Sequence, residues 1–186
     1  VVAGFVTLSR GLGAPAEELA NLEFPEQSII YDRTGEVELA RFGEFQREVV
    51  TWDELPPFVV DAVTAVEDRT FWENSGFDPL AIVAAGIDTI RGQGRGASTI
   101  TQQLVRQRLL DEDLVQDPDR TIERKLKEII QSVRLTQAFP GEQGKRDIMT
   151  AYLNQNFFGN DSYGIKAAAK SYFGVTDLND LTLAQA

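Results

Sequence analysis

The order of hydrophobic and polar positions changes rhythm once along this chain. Ser28-Ile29-Ile30-Tyr31 and Glu36-Val37-Glu38-Leu39-Ala40 flank the turn Asp32-Arg33-Thr34-Gly35, and together they predict a small β-hairpin. After it the pattern is helical. Pro56-Pro57 opens a helix whose apolar positions Val59, Ala62, Val63 and Val66 recur at i, i+3, i+4 and i+7, and which runs out near Glu67-Asp68. Asp78 caps a second helix with Pro79 at its first position, and Leu80, Val83, Ala84, Ile87 and Ile90 keep one apolar stripe as far as Gly92. The glycine-rich loop Gly92-Gln93-Gly94-Arg95-Gly96-Ala97 leads to Ser98, the expected cap of a third helix that turns Ile100, Leu104 and Leu109 inward. A fourth helix covers about Thr121 to Gln137, with Leu126, Ile129, Ile130 and Val133 inward. Further helices fit Arg146 to Asn154 and Gly164 to Phe173, and Thr182 is placed to cap one more at the chain end. Gly11-Leu12-Gly13-Ala14-Pro15 reads as a linker, followed by a mixed segment to about Pro25. The fold class is therefore mainly α with a small N-terminal β-hairpin.

Composition narrows the chemistry. At 186 residues and 42% hydrophobic content, one domain buries a sizeable core without staples. No repeat or low-complexity segment interrupts it. Cysteine is absent, so there is no disulfide framework and no thiolate nucleophile. Histidine is absent too, which removes Ser-His-Asp and Cys-His catalysis and histidine zinc sites. Acid-base work falls to carboxylates, Lys or Tyr. A net charge of −11 argues against general nucleic-acid or anionic-surface binding, which calls for a basic face. From Arg91 to Arg134, however, nine cationic side chains stand against seven acidic ones. On charge alone these describe equally a local basic patch and a pair of solvated helix faces. The apolar run Val1 to Leu8 is too short to span a bilayer, which takes roughly 20 residues. It reads either as the trimmed end of an N-terminal anchor or as a buried core segment.

Three places combine residue types that suggest chemistry. Glu67-Asp68 sets two acids at a helix C-terminus, where the macrodipole disfavours them, and broken local rules concentrate at functional sites. An exposed acidic helix end is the other reading. On the fourth helix Arg120, Arg124 and Glu128 share a face at i, i+4, i+8, while Glu123 and Lys127 form a separate pair in the favourable order. The glycine-rich loop before Ser98 offers backbone N–H groups to an anion but lacks the Lys-Ser/Thr ending of a phosphate loop. Gln102, Gln103 and Arg106 place polar groups on successive turns, a pattern that periodicity alone assigns to a solvated face.

Taken in order, Glu67-Asp68-Arg69-Thr70-Phe71 with Gly76, Gly96-Ala97-Ser98-Thr99-Ile100-Thr101-Gln102-Gln103, and Arg124-Lys125-Leu126-Lys127-Glu128 resemble three successive motifs of the peptidoglycan glycosyltransferases. Ala151-Tyr152-Leu153-Asn154 with Gly159, and Ala167-Ala168 with Tyr172-Phe173-Gly174, look like that family's later motifs, so the resemblance runs from about Tyr31 to the end. It implies a lysozyme-like helical domain over residues 26–186, cut at its C-terminal end, with residues 1–25 as the end of a membrane anchor and a linker. The expected setting is the extracytoplasmic face of the cell membrane. The implied partners are lipid II, the growing lipid-linked glycan, the membrane and a C-terminal transpeptidase domain, with no nucleic acid. Glu67 and Glu128 are the implied catalytic residues. Asp68, Ser98, Thr99, Gln102, Gln103, Arg106, Arg120, Arg124, Lys125 and Asn154 are the implied substrate-binding set. No metal ligand is read from the sequence and no cofactor is required by it; the family admits a divalent cation such as Mg or Mn. Two positions depart from the family pattern: Asn74 stands where His is usual, and Arg106-Gln107 where Lys-Asn is usual. Two other readings remain open at this point, a lysozyme-like glycan hydrolase and a membrane-anchored binding domain with weakened catalysis.

Overall fold

Strong caps and periodic apolar stripes become helices, and short elements without a pattern appear between them. The computed structural model of the protein describes residues 12–43, 45–82 and 98–186. In chain order the elements are α1 (Pro15–Ala20), β1 (Ser28–Tyr31), β2 (Glu38–Phe42), β3 (Gln46–Arg47), a 3-10 turn (Trp52–Glu54), α2 (Pro57–Glu67), α3 (Ile100–Arg108), α4 (Glu112–Gln116), a 3-10 turn (Pro118–Arg120), α5 (Thr121–Ala138), α6 (Gly141–Gln155), β4 (Ser162–Tyr163), α7 (Ile165–Phe173) and a last 3-10 turn (Leu178–Asp180). The expected mainly α, lysozyme-like class with a small hairpin holds. The run Val1–Leu8, the stripe Val83, Ala84, Ile87 and Ile90, and the glycine-rich segment 92–97 lie outside the described residues.

The chain divides into two compact units, one of residues up to Leu22 and Val63–Tyr152, the other of Glu23–Ala62 and Leu153–Ala186. In the second unit β1 and β2 pair antiparallel, Ser28 opposite Phe42 and Ile30 opposite Ala40. The turn between them is held by Asp32 Oδ1, which accepts from the amide and hydroxyl of Thr34. Contrary to the expectation that everything after the hairpin is helical, β3 and β4 form a two-residue parallel pair, too short for any period to register. Val50, Leu55, Val59, Val60, Leu153, Ile165, Ala168 and Leu178 are among the buried apolar residues of this unit.

In the first unit, Phe71, Ile100, Leu104, Val105, Leu135, Ile148 and Met149 are buried. The linker expectation fails at Pro15, which starts α1; proline at the first turn with Glu17 and Glu18 behind it is a helix-start signal. Leu19 is buried, and Gln131 Nε2 of α5 donates to Gly13 O and Glu18 Oε2. Three inward assignments are corrected, the first being Leu80, which is 80% exposed. Val66 is 81% exposed, and α2 instead buries Val59, Val60 and Thr64. On α5, Leu126 is 42% exposed, and the buried residues are Glu128, Ile130, Gln131, Ser132 and Leu135. That face is polar, and its burial is tolerated because its groups are hydrogen-bonded. Gln131 binds α1, and Ser132 Oγ donates to Glu128 O at 2.6 Å. Gly76 fixes how close α5 lies to the segment after α2. Its φ is +95°, and a Cβ there would sit 2.3 Å from Ser132 O.

Candidate active site

Local rules put an exposed acid and a buried acid side by side. Glu67 ends α2 facing solvent, and Asp68, beyond the last turn, is buried. Asp68 is surrounded by donors. Asn74 Nδ2 reaches both its oxygens at 3.0 and 3.1 Å, and the Ile100 amide donates to Oδ2 at 3.2 Å. Thr70 Oγ1 lies 3.3 Å from Asp68 Oδ1 and 3.1 Å from Asp78 Oδ2. Asp78 caps the next helical turn as expected, accepting from the amides of Leu80 and Ala81; the Ala81 bond is the main reason its carboxyl lies below the usual range. Asp68 thus works as a fastener between the segment after α2 and the start of α3.

The cap of α3 is Thr99, where Ser98 was expected. Thr99 Oγ1 accepts from the Gln102 amide and Gln102 Oε1 accepts from the Thr99 amide, both at 3.1 Å, a reciprocal capping box. Thr99 Oγ1 also donates to Gly76 O at 2.8 Å. With Thr99 as the cap, Ser98 Oγ is left to accept from Lys125 Nζ at 2.8 Å. Gln102 and Gln103 then point about 100° apart around the helix. Gln103 Nε2 donates to Glu67 Oε2 at 2.9 Å and its Oε1 accepts from Tyr152 OH. Gln102, fully buried, accepts from Lys125 Nζ at 3.3 Å. Arg106, one turn on and half-buried, makes no hydrogen bond or ion pair with another described residue.

On α5 the fully buried Glu128 accepts from two cations, Arg124 through Oε1 and Lys125 through Oε2 at 3.2 Å. Ser98, Gln102, Arg124, Lys125 and Glu128 are therefore one connected group. Arg120 is not part of it. The α-helix starts only at Thr121, so Arg120 leaves the expected face and pairs with Glu123 at 2.9 Å, joined there by Lys127. Hydrogen bonds from Arg120 and Lys127 pull the Glu123 carboxyl down to about 2. Asn154 belongs to the second unit; its buried amide accepts from the Val50 N–H and donates to the Val50 carbonyl, both at 2.8 Å, so it holds a loop. Among the described residues no group of three or more His, Cys, Asp or Glu side chains converges as metal ligands.

Sequence reasoning missed Lys145. It is 5% exposed on α6 and donates to Asn74 O at 2.8 Å and Asn74 Oδ1 at 3.2 Å. Its ammonium lies 4.7 Å from the centre of the Phe71 ring. Burial pushes its pKa down to about 8, against the opposing pull of Asp68. The signal was present: Lys145 occupies the same stripe as the buried Ile148, Met149 and Tyr152, an inward position where a charge breaks the pattern.

Comparison with known sequences decides the family. The profile described as Transglycosylase matches residues 35–186. The chain belongs to the transglycosylase family. It is similar to penicillin-binding protein 1A/1B of Bacillus subtilis (strain 168), 39% identical over 189 residues and all of this chain. It is also similar to penicillin-binding protein 1A of Escherichia coli (strain K12), 42% over 164 residues and 87% of the chain, and to that of Aquifex aeolicus (strain VF5), 40% over 153 residues and 81% of the chain. The chain spans about a fifth of the length of these relatives, 20%, 18% and 19% respectively. Among its described residues no helix is long and apolar enough to cross a membrane. Of the positions expected to depart from the family pattern, Asn74 bonds to Asp68 and Lys145, and Arg106 of the pair Arg106-Gln107 makes no ion pair or hydrogen bond with another described residue.

Proposed function

We propose that this domain is a peptidoglycan glycosyltransferase that polymerises lipid II into β-1,4-linked glycan and releases undecaprenyl pyrophosphate. The acceptor 4-hydroxyl attacks the anomeric carbon of the donor, its proton passes to Glu67, and the C1–O bond breaks with its electron pair leaving on the pyrophosphate, inverting the linkage. Glu67 is exposed, with Gln103 as its hydrogen-bond partner, which suits a base that must meet substrate. In this reading Arg124, Lys125 and Arg106 bind the pyrophosphate as charge collects on it, with Ser98 and Gln103 binding sugar or phosphate oxygens. Asp68, Thr99 and Gln102 hold these groups in place, Asn154 holds the loop at Val50 in the second unit, and Arg120 is engaged by Glu123.

The observation that carries the reading is Glu128, fully buried with an oxygen on each of two cations. A glycan hydrolase needs a second carboxylic acid to protonate an alkoxide leaving group. Here the oxygens of Glu128 hold Arg124 and Lys125, and a pyrophosphate, which leaves as an anion, needs such cations instead. The setting we propose is the outer face of the cytoplasmic membrane, where the lipid tails of donor and acceptor are anchored, with a transpeptidase as a further domain of the whole protein. Incubation with lipid II in detergent, and separately with finished glycan, tests it. Growth of long products from the first supports the reading, and cleavage of the second without growth rejects it.

A further inference from the structure

The segment after α2 contains one arrangement that the reaction described above does not use. Asn74 is placed between an acid and a cation. Its Nδ2 donates to both oxygens of buried Asp68, while its Oδ1 accepts from Lys145 Nζ at 3.2 Å and from the Gly76 amide at 3.0 Å. The ammonium also holds the Asn74 carbonyl and sits against the Phe71 ring. The amide polarises between the two charges and couples them without itself titrating. Downstream, Asp68 receives the Ile100 amide at the start of α3, and upstream it is bonded in the chain to Glu67.

We propose that Lys145, acting through the Asn74 amide on the Asp68 carboxylate, is a positioning residue that sets Glu67 against α3 for glycosyl transfer. The inference rests on the glycosyltransferase reading above. The ammonium braces the segment 68–76 from α6, so that the base and the cations that α3 helps hold keep one spacing. A misplacement of about 1 Å at a reacting group lowers rate on the order of 10²-fold. Few other charges act here among the described residues. Asp78 is tied to Thr70 and to its own helix start, and Glu73 is exposed. On α6, Glu142 pairs with Arg146, and Asp147 accepts from Gln143. From α5, the groups beside Gly76 are Ser132 and Thr136, which do not titrate in this range.

With a pKa of about 8, Lys145 loses its charge within reach of an assay, and activity and stability then separate. A lysine whose folded pKa is depressed makes unfolding more costly as pH rises from about 8 toward its unfolded value, because the unfolded chain then binds more protons. Turnover moves the other way if the charge positions the site.

The test is kcat and KM on lipid II in detergent for wild type, Lys145→Met, Lys145→Arg and Glu67→Gln, from pH 7 to 9.5, with melting temperatures and amide hydrogen exchange alongside. We expect Lys145→Met to lower kcat by about 10- to 100-fold with KM within about twofold. We expect wild-type kcat to fall through about pH 8 without a fall in stability, and Lys145→Arg to recover part of kcat without that alkaline limb. Wild-type kcat in Lys145→Met, or turnover that tracks melting temperature across pH, overturns the proposal. If Lys145→Met does not fold, the wild-type and Lys145→Arg pH profiles decide. Should wild type make no polymer while folded, the glycosyltransferase reading fails separately. The Ile100 and Gly76 amides then decide the bracing: faster exchange in folded Lys145→Met supports it, and unchanged exchange overturns it.

Discussion

Replacing Glu128 by Gln isolates the charge at the centre of the site while keeping side-chain volume. In the structure one oxygen serves Arg124 and the other Lys125 at 3.2 Å, and the residue is fully buried. The amide carbonyl can still accept from Arg124, but its NH2 end faces the Lys125 ammonium, so about one charge-assisted hydrogen bond is lost. Such a bond contributes roughly 1.5–3 kcal/mol. Lys125 keeps Ser98 and Gln102 as acceptors and is 33% exposed, so water also reaches it, which holds the loss near the middle of that range, about 2 kcal/mol. For a domain of this size that is a fall of about 4–8 °C in melting temperature. Turnover should fall much further, on the order of 10²- to 10³-fold, as expected when preorganised charge at a reacting anion is disturbed. Calorimetry and a lipid II polymerisation assay on the same sample measure both. An unchanged melting temperature would contradict the buried network, and unchanged turnover would remove Glu128 and its cations from the chemistry.

Other perturbations separate the fasteners from the reacting groups. Glu67→Gln should abolish polymerisation, with kcat down by at least about 10²-fold, while melting temperature moves by no more than about 2 °C, since the amide still accepts from Gln103. Gly76→Ala forces a β-carbon into a left-handed backbone 2.3 Å from Ser132 O and should cost about 2–5 kcal/mol by chemical denaturation; a change under about 1 kcal/mol would mean that α5 does not lie as close as described. The Glu123 carboxyl, held at about 2 by Arg120 and Lys127, stabilises the fold above its unfolded value near 4.5 and loses that contribution as pH falls toward 2. In Arg120→Ala its titration, followed by side-chain NMR, should move up and the acid loss of stability should shrink, with polymerisation at neutral pH within about twofold of wild type. A large loss of turnover would return Arg120 to the site.

What was legible in the sequence is what depends on neighbours close along the chain. The cap at Asp78, the apolar stripe of α3 and the helical pattern of α7 need only local spacing, and the Asp78 cap bonds, α3 and α7 formed where expected. Glu67-Asp68 stood out because two acids at a helix end break a local rule. The Thr99–Gln102 capping box was also local, yet Ser98 is an equally good cap by residue type, and only the bonds to Gly76 and Lys125 separate their roles. The misread features depend on distant partners. Leu126 belongs to an apolar stripe, but hydrogen bonds to Glu128 and Gln131 and the approach of Gly76 turn the polar face of α5 inward. Lys145 is bound to a residue 71 positions away, so a charge on an apolar stripe was its one trace.

The central claim is that an exposed carboxylate base and a cation cluster transfer sugar from a pyrophosphate donor to a hydroxyl acceptor. Its most direct test counts products while lipid II is consumed: glycosidic bonds formed, lipid pyrophosphate released, and free reducing ends. The account predicts one pyrophosphate for each new β-1,4 linkage, no growth in free reducing ends, and none of these products with Glu67→Gln. Pyrophosphate release matched by free reducing ends, or linkage formation that persists in Glu67→Gln, would contradict it.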